Sequence, residues 1–183
     1  MKVITAPIDY NRKKDDICIF LAGGITNCPN WQNEVINELK KYKIDDDLIL
    51  FNPRRKNFPI NNPNAAEEQI TWEFKYLSIM DIFSMYFTGG DSDQPICMYE
   101  LGRYTLWMKN RFKSYKDRII VSVEDDYNRK KDVQIQMKLA CKNADFVFTN
   151  SNPKKHAEKI YNQYIKMKLK KELLYRLSND NKI

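Results

Sequence analysis

The sequence predicts an α/β fold, with a parallel sheet of five strands and helices on both faces. Short apolar runs and segments with helical spacing alternate five times along the 183 residues. The connections between successive apolar runs are too long for β-hairpins, which favours βαβ units. Four of the five glycines lie within three residues after the end of two of the runs. Right-handed crossovers then place helices on both faces, and ligands are expected beyond the carboxyl ends of the strands.

The strands are predicted from short apolar runs. These runs are continuous rather than alternating, which is typical of strands that are covered on both faces. They span residues 17–22, 48–51, 82–87, 118–123 and 145–149. Residues 1–16 are polar and irregular, so we expect an N-terminal leader that either adds a short strand or lies on the surface.

The helices are predicted from apolar residues that recur on one helical face, as Trp31, Val35 and Leu39 do in the first. Pro95 opens the third, a position where its missing N–H is tolerated. The predicted helices span residues 31–42, 65–80, 95–112, 132–143 and 153–177. We therefore expect a single domain over residues 17–177 and a frayed tail at 178–183.

Composition limits the classes of function. The net charge of +7 arises from 31 basic and 24 acidic residues, and we interpret it as a lysine-rich surface. Because no cluster of basic and aromatic residues sharpens this charge, a nucleic-acid partner is not favoured. No apolar run approaches the ~20 residues of a membrane span, and the N-terminus lacks a signal-peptide core. A cytoplasmic location without membrane association is the expectation.

Cysteine and histidine usage favours carboxylate chemistry. The four cysteines form no CxxC pair and are predicted to be free thiols. The single histidine, His156, makes histidine triads and multi-histidine metal sites improbable. We therefore expect no metal and no cofactor, and expect any catalysis to use acidic side chains.

Two predicted strand ends carry groups that suit a ligand. Gly23 and Gly24 would let a ligand approach the backbone, although a tight turn alone explains the pair more simply. There is no Gly-x-Gly-x-x-Gly and no Walker lysine, which argues against a dinucleotide or P-loop site. Arg54 and Arg55 follow the second strand and either bind phosphate or form ion pairs that fix the loop.

Three carboxylates are candidates near the same edge. Glu100 follows the start of a predicted helix, where the macrodipole favours the ionised form by ~0.3–1 kcal/mol. An ionised carboxylate can attack an anomeric carbon, but composition and spacing do not separate Glu100 from a surface glutamate. Asp81, at a helix–strand junction, and Asp93, before Pro95, could equally be capping groups.

An ordered set of short motifs resembles one known family. The motifs are Ile19-Phe-Leu-Ala-Gly-Gly-Ile25, Asn30-Trp31-Gln32, Phe51-Asn-Pro-Arg-Arg55, Gln69-Ile-Thr-Trp72-Glu73, Asp81-Ile82, Pro95-Ile96 and Tyr99-Glu100-Leu-Gly102. Together they resemble the nucleoside 2-deoxyribosyltransferase family, in its branch with Asn-Pro-Arg-Arg and Gln-x-x-Trp-Glu signatures. The resemblance covers residues 17–135.

This resemblance implies a flavodoxin-like three-layer sandwich and a transfer of 2-deoxyribose between nucleobases that uses no metal. It implies that Glu100 is the nucleophile on C1′ and that Asp81 lies near the nucleobase and assists protonation. It places Gly23 and Gly24 under the substrate. The remaining residues that it assigns to substrate binding are Asn52, Arg54, Gln69, Trp72, Asp93 and Tyr99.

The resemblance also implies partners and leaves alternatives. Nucleosides and nucleobases are the expected ligands, and a homo-oligomer is expected because a neighbouring subunit often completes the pocket in related enzymes. Better-studied members have an aspartate where this chain has Gln94. One alternative is a hydrolase of nucleoside 5′-monophosphates, in which Arg54 and Arg55 bind phosphate. Another is a nucleotide sensor without catalysis.

Overall fold

A computed structural model describes residues 1–142 and 144–180, which form a single parallel sheet flanked by helices. The strands are β1 Lys2–Thr5, β2 Ile17–Gly23, β3 Leu48–Asn52, β4 Ile82–Phe87, β5 Ile119–Val123 and β6 Val147–Phe148. The helices are α1 Trp31–Leu39, α2 Ala65–Ile79, α3 Pro95–Arg111, α4 Lys130–Ala140 and α5 Pro153–Asp180. A short 3₁₀ helix, Tyr115–Arg118, precedes β5.

The predicted α/β class and parallel sheet are confirmed, but the sheet has six strands rather than five. The additional strand, β1, lies in the expected leader and pairs with β3 at the edge of the sheet, from Lys2 opposite Ile49 to Thr5 opposite Asn52. Its residues are only partly buried. An edge strand of this kind needs no continuous apolar run, which is why the sequence pattern does not single it out.

The strand order β1-β3-β2-β4-β5-β6 determines where a ligand can bind. Numbered from β2, the last five strands follow the flavodoxin-like order 2-1-3-4-5. The chain leaves β2 toward β3 on one side and later returns to β4 on the other. The switch point therefore lies between the carboxyl ends of β2 and β4, which is the position where open α/β sheets bind ligands.

Alternating strand residues build two cores, one on each face of the sheet. In β2, Ile17, Ile19 and Leu21 pack on the face covered by α1 and α5. Cys18, Phe20 and Ala22 pack on the face covered by α2, α3 and α4. This two-residue alternation explains why the whole strand is apolar: both faces are buried, and a three-layer sandwich results.

His156 of α5 lies at the centre of the first of these faces. Its ring is fully buried and hydrogen-bonded through Nε2 to Ser84 Oγ at 2.8 Å and through Nδ1 to Ser122 Oγ at 2.7 Å. Burial lowers the pKa of His156 to about 3, so the ring is neutral. Because both ring nitrogens have partners, His156 serves to dock α5 on the sheet.

Element boundaries differ most toward the C-terminus. The strand predicted at 145–149 shortens to β6, and α5 continues beyond residue 177 to Asp180. Residues 181–183 of the predicted frayed tail, and Asn143 at the end of a predicted helix, lie outside the described residues. Although α5 has 28 residues, no helix within the described ranges has the length and apolar character of a membrane span.

Candidate active site

A cavity of about 240 Å³ opens at the switch point between β2 and β4. Its walls come from the carboxyl end of β2, the loop after β3, α2, and the loop that leads from β4 into α3. The lining residues used below are Gly23, Gly24, Pro53, Glu73, Ser92, Gln94, Ile96, Cys97 and Glu100. The volume lies below the range of about 300–1,000 Å³ of many small-molecule pockets, so the ligand must be compact or extend through the mouth.

Gly23 and Gly24 form one side of this cavity. Gly23 has a φ of +151°, and a Cβ there would lie 2.3 Å from the Tyr86 carbonyl oxygen. A Cβ on Gly24 would lie 2.5 Å from Cys28 Sγ and 2.6 Å from Gln94 Oε1. The position of Gly23 therefore requires glycine, whereas a side chain at Gly24 would displace the side chains of Cys28 and Gln94; the wall of the cavity is bare backbone.

Glu100 lines the cavity as the sixth residue of α3, in its second turn. The pKa of Glu100 is raised to about 8, chiefly by burial and also by the negative charge of Glu73, while Arg103 opposes the shift. Glu100 is too far along α3 for the helix N-terminus to offset burial, because the dipole effect fades within the first turn. The carboxyl group therefore holds a proton more tightly than an exposed glutamate does.

Glu73 of α2 is the second carboxyl group of the cavity. Gln69, one helical turn earlier, donates from Nε2 to Glu73 Oε1 at 2.7 Å. Burial raises the pKa of Glu73, whereas the Gln69 hydrogen bond and the charge of Arg55 lower it. Glu73 appears in the sequence motif but not among the predicted site residues; its i, i+4 spacing from Gln69 is the signal that places both on one helical face.

The Asn-Pro-Arg-Arg segment supports the cavity from behind. Asn52 Oδ1 accepts a hydrogen bond from Arg54 N at 3.0 Å. Arg54 Nη2 donates to the carbonyl oxygens of Ile25, at 2.8 Å, and Cys28, at 3.1 Å. The guanidinium group thus holds the loop after β2, and neither Asn52 nor Arg54 is among the residues that line the cavity.

Arg55, the other arginine of this segment, also faces protein groups. Its Nη1 lies 3.7 Å from Glu68 Oε2, and its guanidinium lies over the Phe58 ring at 5.6 Å from the centroid. The two adjacent arginines therefore contact the protein itself and are not among the cavity-lining residues.

Gln69 and Trp72 connect α2 to other segments of the protein and do not line the cavity. Besides orienting Glu73, Gln69 Nε2 donates to the Pro53 carbonyl at 2.7 Å and so joins α2 to the loop after β3. Trp72 is buried, and its Nε1 donates to the Ile8 carbonyl at 2.8 Å. The resemblance assigned both residues to substrate binding, whereas these contacts hold α2 against the loop after β3 and the N-terminal segment.

Asp81 lies at the opposite edge of the sheet. Its Oδ2 accepts from Arg12 Nη2 at 2.6 Å and from Cys18 N at 2.9 Å, next to the amino end of β4. Tyr86, which pairs with Gly23, lies five positions further along the chain, roughly 16 Å away at ~3.3 Å per position. This position does not fit the predicted role beside the nucleobase, and the structure offers Glu73 instead.

Asp93 and Tyr99 flank the cavity without lining it. Asp93 is exposed, and its backbone carbonyl accepts from the Tyr127 hydroxyl at 2.8 Å. Tyr99 is 61% exposed, and its hydroxyl accepts from Arg103 Nη1 at 3.2 Å. Between them in sequence, Gln94 is buried and lines the cavity, although the sequence marked it only as a departure from the family pattern.

Comparison with known proteins gives one finding. A family model described as nucleoside 2-deoxyribosyltransferase like matches residues 16–113, which is more than half of the chain. The matched segment contains the cavity walls formed by β2, α2 and the start of α3. A search of curated proteins found no match. Within residues 1–142 and 144–180, no group of three or more histidine, cysteine or acidic side chains is arranged to hold a metal ion.

Proposed function

Because the chain belongs to the nucleoside 2-deoxyribosyltransferase-like family, we propose that it transfers 2-deoxyribose from one nucleobase to another. One observation carries this proposal: two half-buried carboxyl groups, Glu73 and Glu100, line the same small cavity at the switch point of the sheet. Such a pair can supply one nucleophile and one proton donor, which are the two groups that cleavage of an N-glycosidic bond with retention requires.

The protonation state of the pair suits this chemistry. A negative charge on one carboxyl group disfavours ionisation of the other, and burial disfavours ionisation of both. At a pH between the pKa values of the two groups, the pair therefore holds a single proton. Gln69 and Arg55 favour the charged form of Glu73, so the resting proton lies on Glu100. Moving it to Glu73 creates the reactive form, with a charged Glu100 and a protonated Glu73.

In the first step, a carboxylate oxygen of Glu100 attacks C1′ of a 2′-deoxynucleoside. The new C–O bond forms an ester as the C1′–N bond breaks, and the electrons of that bond go to the base. Glu73 donates its proton to a ring nitrogen of the departing base. Gln69 holds Glu73 Oε1 at 2.7 Å, which leaves Oε2 as the oxygen that can carry the proton.

In the second step, an acceptor base attacks C1′ from the face that the first base left. Its ring N–H proton passes to Glu73 as the new C–N bond forms and the ester bond to Glu100 breaks. The carboxylate of Glu100 is restored, and two inversions give net retention at C1′. The ligands of the site are then nucleosides and nucleobases.

The alternative activity, hydrolysis of nucleoside 5′-monophosphates, finds less support in the geometry. It assigned phosphate binding to Arg54 and Arg55, but Arg54 Nη2 already donates to backbone carbonyls of the loop after β2. A phosphate bound by Arg54 would have to compete with those carbonyls. Transfer to a base is therefore the preferred function, with water as the competing acceptor.

Incubation of the protein with deoxyinosine, with and without adenine, tests the proposal. We expect new deoxyadenosine only when adenine is present. Hypoxanthine and free deoxyribose at equal rates in both mixtures would instead show a hydrolase. Binding of deoxyinosine in a calorimeter without any product would show the sensor.

We also propose that the protein is a homo-oligomer. Large apolar side chains are exposed on α2 and α3, the helices that contribute Glu73 and Glu100 to the cavity, and a second subunit would cover them; they are Ile70, Phe74, Ile96, Tyr99 and Leu106. Light scattering coupled to size-exclusion chromatography measures the mass directly. A monomer at micromolar concentration would contradict this part of the proposal.

A further inference from the structure

The β4–α3 loop, residues 88–94, is held by the β5 segment, residues 124–127, which directly follows strand β5. A Cβ on Gly89 would lie 1.9 Å from Asp126 Oδ1, so the loop and the segment are in direct contact at this point. The loop leads into α3, which carries Glu100 into the cavity. Whatever fixes the loop therefore also fixes where α3 begins and where Glu100 lies.

Glu124, the first residue of the β5 segment, joins two walls of the cavity. Its Oε2 accepts a hydrogen bond from Gly89 N at 2.7 Å, at the start of the loop. Its Oε1 accepts a hydrogen bond from the Tyr86 hydroxyl. The Tyr86 ring stacks on Trp31 with 4.8 Å between centroids, and Trp31 Nε1 donates to the Gly24 carbonyl at 3.0 Å. One carboxylate thus connects the β4–α3 loop to the glycine wall of the cavity.

Tyr127, the last residue of the β5 segment, holds the other end of the loop. Its hydroxyl donates to the Asp93 carbonyl at 2.8 Å, two residues before α3 begins. The Tyr127 ring is buried and stacks on Phe87 with 5.0 Å between centroids, which fixes the position of the hydroxyl. A single β-bridge also pairs Tyr127 with Gly90. The loop is therefore held at its start by Glu124 and at its end by Tyr127.

The contacts of Glu124 indicate that it acts through geometry and not through proton transfer. Glu124 is not among the residues that line the cavity. Both of its carboxylate oxygens already accept hydrogen bonds from protein groups. Glu124 is also not among the groups that shift the pKa of Glu100, since that shift arises from burial, Glu73 and Arg103.

We propose that Glu124 and Tyr127 are positioning residues for the transfer of deoxyribose, which hold the β4–α3 loop so that Glu100 lies at attacking distance from C1′. The reaction that they serve rests on the proposed function. A displacement of about 1 Å at a reacting group can cost on the order of 10²-fold in rate. The β5 segment lies beyond residues 16–113, which the family model matches, and it affects the rate without contacting the substrate.

Two substitutions of Glu124 separate geometry from charge. Glu124→Ala removes both hydrogen bonds, so kcat for exchange between deoxyinosine and adenine should fall about 10–100-fold while KM for deoxyinosine stays within about threefold. Glu124→Gln should keep most of the rate, because its amide can accept from Gly89 N and donate to the Tyr86 hydroxyl oxygen. Equal losses in Glu124→Ala and Glu124→Gln would overturn the proposal, because the charge itself would then be required.

Tyr127→Phe tests the other end of the loop and keeps the buried ring, so it remains informative if Glu124→Ala does not fold. Loss of its one hydrogen bond should lower kcat about 3–10-fold. The matched control is Asp125→Asn, in the same segment. Asp125 is exposed and pairs with Lys130 of α4, so kcat of this variant should stay within about twofold of wild type.

Hydrogen exchange, followed by mass spectrometry, reports on the loop independently of activity. The amides of residues 89–93 should exchange about tenfold faster in Tyr127→Phe than in wild type, and at the wild-type rate in Asp125→Asn. Unchanged exchange of these amides in Tyr127→Phe would overturn the proposal. Faster exchange of these amides with a wild-type kcat would also overturn it, because the segment would then only stabilise the fold.

Failure of the proposed function gives a different result. In that case wild-type protein would form no deoxyadenosine from deoxyinosine and adenine, whereas the loop amides would still exchange faster in Tyr127→Phe than in Asp125→Asn.

Discussion

Carboxylates occur at both edges of the same sheet, but their surroundings are opposite. At the amino end of β4, Asp81 Oδ2 receives Arg12 Nη2 at 2.6 Å and Cys18 N at 2.9 Å. At the carboxyl end, Glu100 has no hydrogen bond or ion pair to any residue in 1–142 or 144–180, and its neighbour Glu73 has the same charge. Asp81 is paired with a cation, whereas burial and the charge of Glu73 raise the pKa of the half-buried Glu100 to about 8.

The difference shows that the carboxylate at one edge of the sheet stabilises the fold, whereas the carboxyl groups at the other edge are available for catalysis. A carboxylate paired with arginine and a backbone N–H gains stability from its charge and has little reason to react. A carboxyl group that has no ion pair or hydrogen bond and whose pKa is raised by burial can change its protonation state near neutral pH, as catalytic acids and nucleophiles do. The hydrogen-bond and ion-pair partners of a carboxylate, rather than its position in a sequence motif, distinguish a stabilising role from a reactive one.

The largest predicted effect is at Glu100. Glu100→Gln keeps the shape of the side chain but removes the nucleophile, so base exchange between deoxyinosine and adenine should fall on the order of 10⁴-fold or more. Chromatography of the products measures the rate, and circular dichroism verifies the fold. Exchange within tenfold of wild type in a folded Glu100→Gln protein would assign the nucleophile elsewhere.

The next effect is at Glu73, the proposed proton donor. Glu73→Gln should slow exchange by about 10²–10⁴-fold, the usual contribution of a general acid. A nucleoside whose base leaves readily without protonation should lose much less of its rate, because it does not need the donor. Equal losses for good and poor leaving groups would show that Glu73 positions other groups instead.

The pH dependence should report the shared proton of the pair. In wild type, kcat/KM for the nucleoside should fall about tenfold per pH unit above pH 8, because the pair loses its last proton as the pH passes the raised pKa of Glu100. It should also fall in acid, where both groups are protonated. In Glu73→Gln the pKa of Glu100 should drop, because the neighbouring charge that raises it is gone, and the alkaline limb should disappear.

The smallest effect on activity is expected at the other edge. Asp81→Asn removes the charge that pairs with Arg12, so the free energy of unfolding should fall by about 1–3 kcal/mol, measured by urea denaturation. The exchange rate of the folded protein should stay within about threefold of wild type. If Asp81→Asn lost as much exchange activity as Glu100→Gln while its stability stayed unchanged, the active site would have to be assigned to the amino edge of the sheet.

The fold was largely predictable because buried parallel strands leave continuous apolar runs. The edge strand β1 was left open, as one of two options for residues 1–16, since its residues are only partly buried and carry no such run. In the site, Gly23, Gly24 and Glu100 were predicted and line the cavity. Asp81 directly precedes a predicted parallel strand, which already placed it at the amino edge, away from the ligand, although the resemblance assigned it to the site. That Glu73 faces the cavity depends on how α2 packs on the sheet, which no local pattern shows.

The hydrogen-bond partners of Arg54 and Trp72 could not be predicted from the sequence either. Arg54 looked suited to phosphate, but its partners are the carbonyls of the loop after β2, which is about thirty residues earlier in the chain. Trp72 looked like a ligand contact, but its indole N–H is bonded to Ile8 in a leader with no recognisable pattern. Long-range hydrogen bonds of this kind depend on tertiary geometry and leave no local signal.

The most direct test of the account is to find the covalent intermediate. Protein mixed with excess deoxyinosine, without any acceptor base, is quenched in acid within a turnover, digested and analysed by mass spectrometry. We predict that the peptide containing Glu100 gains the mass of one deoxyribosyl group, and that the gain disappears when adenine is added before the quench. Active exchange with no adduct on Glu100, or with the adduct on Glu73, would contradict the account.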